Sequence, residues 1–302
     1  MTLEQLRIFV AVAEREHVTR AAEALGLVQS AASAAIAALE NEHQVQLFHR
    51  IGRRIELTEA GRIFLVEARA VLARAASAEL ALSELGGLKR GTLSIHASQT
   101  IGTYWLPARL ARYRKAHPAI DVRLTIGNTT QVTAAVVAGT AELGFIEGEI
   151  DEPALAVQSI KGDRLAVVVA AGDAPAKPKK LTPADLLGLD WVLREPGSGT
   201  RAEFEAELRR HKIDPAALKV VLELPSNEAV RSAVLAGAGA TAISELVVDP
   251  GLRYGTLQRL DFALPQRAFH ILRHKERYRS RAADALLAIV AAEKGAEKAT
   301  SL

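Results

Sequence analysis

The chain has 302 residues, of which 49% are hydrophobic and 24% charged, a composition that predicts two or three folded domains and argues against disorder over most of the length. It contains no cysteine, which excludes a disulfide framework, a Cys-ligated metal site and a thiol nucleophile. The net charge of +3 is too small to indicate nucleic-acid binding by itself.

The expected location in the cell follows from features that the sequence lacks. The first 16 residues carry acids and have neither the long apolar core nor the small-residue cleavage site of a signal peptide. No window of about 18 residues is apolar and uncharged throughout, so we expect no membrane span and no membrane partner. Together with the missing cysteines, these features predict a cytoplasmic protein.

A helix-turn-helix is predicted within the first 40 residues. Apolar side chains recur at helical spacing over residues 3–13, an alanine-rich stretch over 19–25 predicts a short second helix, and helical spacing resumes over 29–40. Gly26 separates the last two segments, as the turn of this motif requires. Val28 stands where the third helix begins and cannot cap it, which costs roughly 1 kcal/mol.

A β-hairpin, or wing, is predicted after the third helix. Residues 45–48 and 54–57 have the composition of two short strands, and the glycine-containing turn between them favours a hairpin. The run 49–54 holds three arginines and no acid, so it forms a basic patch suited to phosphate contact. On its own, such a turn is more often simply a solvated surface.

A long helix is predicted from Thr58, a suitable N-cap, to about Leu85. At 1.5 Å per residue it would be roughly 40 Å long. Its apolar positions include Leu65, Leu72 and Leu80, and a small N-terminal domain offers too little surface to bury them all. We therefore expect this helix to pair with a second copy of the chain.

From residue 91 onward, strands and helices alternate, which is typical of parallel sheets. Strands are predicted over residues 92–97, 122–126, 142–146, 165–170, 191–194, 220–224, 240–243 and 269–273, and helices near 105–116, 132–138, 183–187, 200–210, 227–236 and 280–293. The pattern contains two such units, and the chain returns to the first of them near its end. This arrangement predicts a pair of hinged α/β lobes.

Sequence motifs run through both parts of the chain. The N-terminal ones are Phe9-x-x-Val12-Ala13-Glu14, Ala21-Ala22-x-x-Leu25, Gln29-Ser30-Ala31-x-Ser33-x-x-Ile36-x-x-Leu39-Glu40, Leu47-Phe48-x-Arg50 and Leu57-Thr58-x-Ala60-Gly61. Together they resemble the winged helix-turn-helix of LysR-type transcriptional regulators over residues 1–61. The later ones are Gly127-Asn128-Thr129, Leu143-Gly144-Phe145-x-Glu147-Gly148 and Arg194-Glu195-Pro196-Gly197-Ser198-Gly199-Thr200-Arg201. These resemble the family's effector domain, most closely in the branch that includes carbon-fixation and sulfur-assimilation regulators.

The resemblance implies a DNA-binding transcriptional regulator that forms a homodimer or a homotetramer. Its fold would be an N-terminal all-α winged helix-turn-helix joined to an α/β effector domain of two hinged lobes, like a periplasmic binding protein. The implied ranges are 1–57 for the DNA-binding domain, 58–88 for the linker and dimerisation helix, 89–302 for the effector domain, about 89–163 and 266–302 for lobe I, and about 164–265 for lobe II. An effector would alter lobe closure and thereby DNA bending.

The DNA contacts are expected on the third helix and the wing. When the helix over 29–40 buries its apolar side chains, its polar ones face the major groove, where Gln can pair with adenine. Val28 and the alanines at 34 and 35 depart from the family's pattern, so few side chains are left to read bases. The residues predicted to contact double-stranded DNA are Gln29, Ser30 and Ser33 on the helix and Arg50, Arg53 and Arg54 on the wing.

An effector site is expected where three Ser/Thr-rich segments, 98–102, 128–130 and 196–201, connect strands to helices. Helix starts offer free N–H groups and a partial positive charge, so we expect a small anionic metabolite. The predicted contacts are Ser98, Thr100, Gly102, Thr129, Ser198, Thr200 and Arg201. The alternatives are helix capping for the hydroxyls, a surface position for Arg201 and a hinge salt bridge for Glu147.

Other classes of function find less support. His270 and His274 would lie roughly 13 Å apart on a strand, too far to share a metal, and no nucleophile stands beside a base. We therefore expect no metal, no cofactor and no catalysis. The rivals are a solute-binding protein of a transport system, which shares the two-lobed pattern, and an enzyme such as a transferase using the cleft. The attached helix-turn-helix favours the regulator.

Overall fold

The computed structural model describes residues 1–51, 54–85, 91–174 and 180–300, with the backbone alone for residues 50, 51, 54 and 293–300. The N-terminal unit follows the predicted plan. In chain order its elements are α1 (Leu3–Arg15), α2 (Val18–Ala24), α3 (Gln29–His43), β1 (Phe48–Ile51), β2 (Arg54–Leu57) and α4 (Glu59–Leu85). The helix-turn-helix and the long helix after it are therefore confirmed.

The core of the N-terminal unit forms around the ring of Phe9 on α1. This ring lies 5.5 Å from the ring of Phe48 in the wing and 4.7 Å from that of Phe64 on α4. Ile36 and Leu39 of α3 are buried in the same core, as their spacing predicts. The packing therefore turns the opposite face of α3 toward solvent.

Strand pairing in the wing starts later than predicted. The strand predicted over residues 45–48 is wrong apart from Phe48, because the Glu40 carboxylate binds the backbone of this segment where strand pairing would begin. It accepts hydrogen bonds from the backbone N–H groups of Leu47 (2.7 Å) and Phe48 (3.2 Å). β1 then pairs with β2 in antiparallel register.

The long helix α4 begins as predicted but exposes a different face. Thr58 caps it by accepting a hydrogen bond from the backbone N–H of Gly61 (2.9 Å). Leu65 and Leu72 pack against the N-terminal core, so they do not belong to an uncovered stripe. The large apolar side chains of α4 that remain exposed are Ile63, Val66, Val71, Leu82 and Leu85.

The second unit, over residues 91–300, alternates strands with helices. Its strands are β3 (Gly91–Ser98), β4 (Ile120–Gly127), β5 (Leu143–Glu147), β6 (Leu155–Ala170), β7 (Asp190–Arg194), β8 (Lys219–Leu224), β9 (Thr241–Ser244), β10 (Leu257–Arg259) and β11 (Gln266–His274). Its α-helices are α5 (Leu106–Ala116), α6 (Thr129–Ala138), α7 (Gly199–Arg210), α8 (Asn227–Leu235), α9 (Glu245–Arg253) and α10 (Arg281–Thr300). One π-helical turn, Ile101–Trp105, leads into α5.

The main sheet is mixed, whereas the alternating pattern predicts parallel strands. Its order is β10-β6-β11-β5-β3-β4, and β9 also pairs with β6. β3 runs parallel to β4 and β5, but β6 and β11 run antiparallel to their neighbours. The difference arises because β6 is 16 residues long, pairing with β11 along its first part and with β9 and β10 along its last. Only residues 165–170 of it are predicted, since polar residues interrupt the apolar run before them.

Separate apolar cores define two lobes in this unit. Lobe I lies around Phe145 and Phe269, and the ring of Trp105 meets Phe269 edge to face at 5.7 Å. Lobe II lies around Trp191 and Phe204, whose rings are 4.8 Å apart. Because β6 passes through both lobes, it connects them within one sheet.

The predicted helices do not include α9, whose run 249–251, Asp-Pro-Gly, has the composition of a turn. Pro250 nevertheless lies inside the helix. Ser244 caps α9 by accepting a hydrogen bond from the backbone N–H of Leu246 (3.1 Å), and Val247 and Val248 are fully buried. Tertiary packing thus outweighs the local cost of the proline.

Among the residues that the structure describes, no single helix has both the length and the apolar composition of a membrane span. The helices α2 and α3 have this length and composition only when they are taken together, and a bend of 111° separates them.

Candidate DNA-binding surface and effector cleft

The polar side chains predicted to read DNA lie on the solvent side of α3. Gln29 and Ser30 are exposed, and Ser33 is half-buried. The start of the helix lacks a side-chain cap, as predicted: Val28 contributes only its carbonyl, which accepts from the backbone N–H groups of Ala31 (3.1 Å) and Ala32 (3.3 Å). The exposed face therefore consists of small and polar side chains.

The wing arginines fall at the edge of the described residues. Arg50 pairs with Ile55 across the hairpin, and Arg54 pairs with Ile51. Their backbones thus lie in the two strands of the wing, while their side chains are outside the described atoms. Arg53 lies outside the described residues altogether.

Two of the three predicted effector segments meet where α6 and α7 begin. The hydroxyl of Thr129 donates to the backbone carbonyl of Glu147 (3.0 Å), which leaves it no hydrogen for a ligand. Gly199 lies against the same carbonyl, and a Cβ atom there would be 2.2 Å from the carbonyl oxygen, so glycine is required. The backbone N–H of Thr130 donates to the carbonyl of Gly197 (3.3 Å). The starts of the two helices are therefore in direct contact.

The third segment joins them through a chain of polar side chains. Nδ2 of Asn227 donates to Oγ1 of Thr100 (3.1 Å), and Nη1 of Arg194 donates to Oδ1 of Asn227 (2.5 Å). Arg194 also binds Glu195 through Nε (2.7 Å) and Nη2 (2.9 Å). Glu195 in turn accepts a hydrogen bond from Nδ2 of Asn128 (3.2 Å). All three predicted segments therefore belong to one network.

The charges of this network stabilise each other. Burial disfavours the ionised carboxylate of Glu195, but the hydrogen bonds and charge of Arg194 outweigh this and hold the pKa of Glu195 below its usual range. Arg194 is only 4% exposed, and its donors are directed at Glu195 and Asn227. Its positive charge is thus largely neutralised within the network.

A second buried cluster surrounds Arg267 at the start of β11. Nε and Nη2 bind the carboxylate of Asp163 (2.5 and 3.1 Å), and Nη1 donates to Oγ1 of Thr200 (3.2 Å). Ser244 donates its hydroxyl to the same carboxylate. Burial lowers the pKa of Arg267, but Asp163 and Glu147 outweigh this and raise it. The guanidinium therefore stays charged beside the start of α7.

The hydroxyls of Thr100 and Thr200 are suited to donate. Each oxygen accepts a hydrogen bond from a neighbouring side chain, which leaves its own hydrogen for another acceptor. Helix capping does not occupy the hydroxyls of Thr100 and Ser198, because neither side chain makes a cap hydrogen bond. Ser98, at the end of β3, is buried as well, and its hydroxyl has no hydrogen-bond partner among the described residues.

Gly102 and Arg201 have other surroundings. A Cβ atom on Gly102 would lie 2.9 Å from the side chain of Ile126, so this glycine allows close packing within lobe I. Arg201 binds the carboxylates of Glu205 (2.7 Å) and Glu223 (2.5 Å). Its guanidinium is thus engaged within lobe II.

Sequence patterns do not indicate Asn227, Arg267 or Asp163 as parts of the site. Asn227 directly follows Ser226, the N-cap of α8, and a polar residue there indicates only a helix start. Arg267 and Asp163 lie 104 positions apart and meet because β11 pairs with β6. Burial of this kind has no local signature, since it depends on strand order.

Two family models match the chain. The model described as "Bacterial regulatory helix-turn-helix protein, lysR family" matches residues 3–62, and "LysR substrate binding domain" matches residues 86–295, more than half of the chain. The chain belongs to the LysR family of transcriptional regulators. A winged helix-turn-helix joined to an α/β effector-binding domain, the fold class predicted from the motifs, is thereby confirmed.

Curated relatives agree with this assignment. YeiE of Escherichia coli, described as an uncharacterized HTH-type transcriptional regulator, is 36% identical over 93% of this chain and 94% of its own. A probable RuBisCO transcriptional regulator of Trichormus variabilis is 33% identical over 94% of this chain and 86% of its own. These relatives are described as regulators and not as enzymes. The second confirms the resemblance to carbon-fixation regulators.

Solved structures share the fold. Full-length OxyR from Pseudomonas aeruginosa has a TM-score of 0.73 at 24% identity and covers 96% of this chain and 94% of its own. The CcmR regulatory domain of Synechocystis, in complex with 2-PG, has a TM-score of 0.61 at 26% identity and covers 67% of this chain and 97% of its own. As a LysR-type regulator, this chain has DNA, a small-molecule effector and further copies of itself as partners.

Proposed function

We propose that this LysR-type regulator senses a small anionic metabolite between its two lobes and converts that binding into altered DNA binding. One observation carries the proposal: Thr100 of lobe I and Thr200 of lobe II are 0% and 2% exposed, yet each has a hydroxyl hydrogen left to donate. An anion held by both hydroxyls binds the closed lobes more tightly than the open ones. That difference in affinity is what shifts a conformational equilibrium.

The surroundings of these hydroxyls favour negative charge. Thr200 lies in the first turn of α7, where unpaired N–H groups and the helix dipole attract anions. We assign the polar contacts to Ser98, Thr100, Ser198 and Thr200. Gly102, Thr129 and Arg201 shape the cleft, since their groups are engaged elsewhere. The complex of the similar CcmR regulatory domain with 2-PG supports a small-molecule ligand for this domain.

DNA recognition is assigned to α3 and the wing. We propose that Gln29, Ser30 and Ser33 contact base edges, because they lie on the solvent side of α3. Phosphate contacts are assigned to Arg50, Arg53 and Arg54, since the acid-free run 49–54 concentrates positive charge. Few side chains remain to read bases, so contacts with the DNA backbone supply most of the affinity.

The domain plan belongs to the same proposal. Residues 1–57 bind DNA, 58–88 form the linker and dimerisation helix, and 89–302 bind the effector, with lobe II over about 164–265 and lobe I around it. The exposed apolar side chains of α4 support pairing with a second copy in a homodimer or homotetramer. We place the protein in the cytoplasm, where its DNA is, and assign it no enzymatic activity.

A solute-binding role in transport is the other candidate, because it uses the same two-lobed fold. The helix-turn-helix over residues 3–62 argues against it, since a carrier of solutes has no use for a DNA-reading helix. DNA binding by the full chain separates the two candidates. A gel-shift assay on random DNA fragments gives retarded complexes for the regulator and none for a carrier.

The test of the effector cleft is a thermal-shift screen of the full chain against small carboxylates, phosphates and sulfur oxyanions. We expect one of them to raise the melting temperature of the wild type. Thr100→Val and Thr200→Val keep the volume and remove a donor, so each should weaken that anion's binding roughly 10–150-fold. Thr103→Val, an exposed threonine on the same turn, is the matched control. A wild type that responds to no anion, or valine variants that respond like the wild type, would overturn the proposal.

A further inference from the structure

Glu147, the last residue of β5, carries a buried carboxylate that is only partly paired. Its side chain is 2% exposed, and Oε1 lies 3.8 Å from Nη2 of Arg267. This distance allows charge attraction but is too long for a hydrogen bond. Oε2 has no hydrogen-bond partner among the described residues. Buried charged oxygens are normally hydrogen-bonded, so this one needs an explanation.

The ion pair with Arg267 satisfies only part of the Glu147 carboxylate, because Oε2 has no hydrogen-bond partner among the described residues. Three of the five N–H donors of Arg267 are directed elsewhere: Nε and Nη2 donate to the carboxylate of Asp163, and Nη1 donates to the hydroxyl of Thr200. One guanidinium charge is thus shared by two buried carboxylates, and the better geometry belongs to Asp163. Oε2 of Glu147 therefore lacks a donor within this cluster, and a donor from outside the cluster would satisfy it.

The position of Glu147 connects this acceptor to the effector cleft. Its backbone carbonyl accepts the hydroxyl of Thr129 at the start of α6 and lies against Gly199 at the start of α7. Its carboxylate approaches the guanidinium that binds Thr200. Groups that attract an anion therefore stand next to a carboxylate that repels one. A ligand satisfies both when it is an anion with a hydrogen of its own to donate.

We propose that Glu147 makes the cleft select anions that carry an O–H hydrogen over oxyanions that have lost every proton. This inference rests on the proposed anion site and adds the chemical class of its ligand. The ligand accepts from the hydroxyls of Thr100 and Thr200 and donates its O–H hydrogen to Oε2 of Glu147. A fully deprotonated oxyanion of the same size leaves Oε2 unpaired and faces its charge.

Inorganic phosphate and sulfate are the matched probes, because they share size and shape. Phosphate keeps a P–OH hydrogen at neutral pH, and sulfate does not. Calorimetric titration of the full chain in chloride buffer at constant ionic strength should show phosphate binding roughly 10–150-fold more tightly than sulfate, the range for one hydrogen bond to a charged group. This comparison uses the wild type alone, so it does not depend on the folding of a variant.

Glu147→Gln replaces the carboxylate by an amide that can donate as well as accept. We expect this variant to lose most of the preference for phosphate by gaining affinity for sulfate. Glu149→Gln removes a charge two residues away on an exposed side chain and should keep the preference. Equal binding of both ions by the wild type, or an unchanged preference in Glu147→Gln, overturns the inference and leaves the anion site standing. Absence of binding by either ion overturns it as well, and the thermal-shift screen then decides whether the anion site itself fails.

Discussion

Arg194 illustrates at the residue scale how the cleft is held together. A buried guanidinium is tolerated only with partners, and removing one partner of a buried pair costs about 3–5 kcal/mol. Here Glu195 supplies the counter-charge and Asn227 accepts a hydrogen bond from Nη1. Because Glu195 also binds Asn128, this ion pair connects lobe II to the start of α6 in lobe I. It therefore bears on stability and on lobe closure together.

The lowered pKa of Glu195 predicts an acid-dependent loss of stability. A carboxylate whose folded-state pKa lies below the unfolded value of about 4.3 stabilises the fold above that value and loses this contribution as the pH falls through the folded pKa. Glu195→Gln should therefore be less stable than wild type at pH 7, with the difference shrinking below about pH 4.3. Urea unfolding followed by the fluorescence of Trp105 and Trp191, both in the effector unit, measures this.

The exposed Glu59→Gln is the control and should change stability little at either pH, because an exposed ion pair contributes about 0–1 kcal/mol. A constant difference between Glu195→Gln and wild type over the whole pH range would contradict the assigned role of the Arg194–Glu195 pair.

Among the secondary-structure elements, α4 shows which features sequence periodicity predicts and which it does not. Its span and the cap by Thr58 follow from local chemistry. Which face stays uncovered depends on how α1 and the wing pack against it, so Leu72 turns inward and Leu82 remains 71% exposed. The same limit applies to the site. Helix starts at Thr100 and Thr200 are predictable from the sequence, whereas Arg267 reaches Thr200 only through strand pairing.

The two faces of α4 predict opposite outcomes for two similar substitutions. Leu82→Asp should dissociate the oligomer and leave the fold intact, because it places a charge on an exposed apolar face. Leu72→Asp should instead destabilise the N-terminal core, where burying an unpaired charge costs several kcal/mol. Sedimentation velocity combined with thermal unfolding distinguishes them. A Leu82→Asp protein that sediments like wild type would place the interface elsewhere.

At the scale of the whole molecule, the order of secondary structure is predictable and the sheet is not. Alternating strands and helices indicate two α/β lobes, which the structure contains. The mixed pairing arises because β6 and β11 extend between the lobes, and only the last residues of β6 have the apolar run of a buried strand. These long strands place Asp163 and Arg267 between the lobes. The strands that connect the two lobes are thus the least predictable part of the fold.

Selection of DNA from a random pool by the full chain, followed by sequencing, tests whether the protein binds DNA as a symmetric dimer. A dimer that presents two copies of α3 should enrich two half-sites related by two-fold symmetry, with centres about 10–10.5 base pairs or a multiple apart. Leu82→Asp should enrich a single half-site with lower affinity. Failure to enrich any sequence, or enrichment of a lone unsymmetric site by the wild type, would contradict a dimeric DNA-binding regulator.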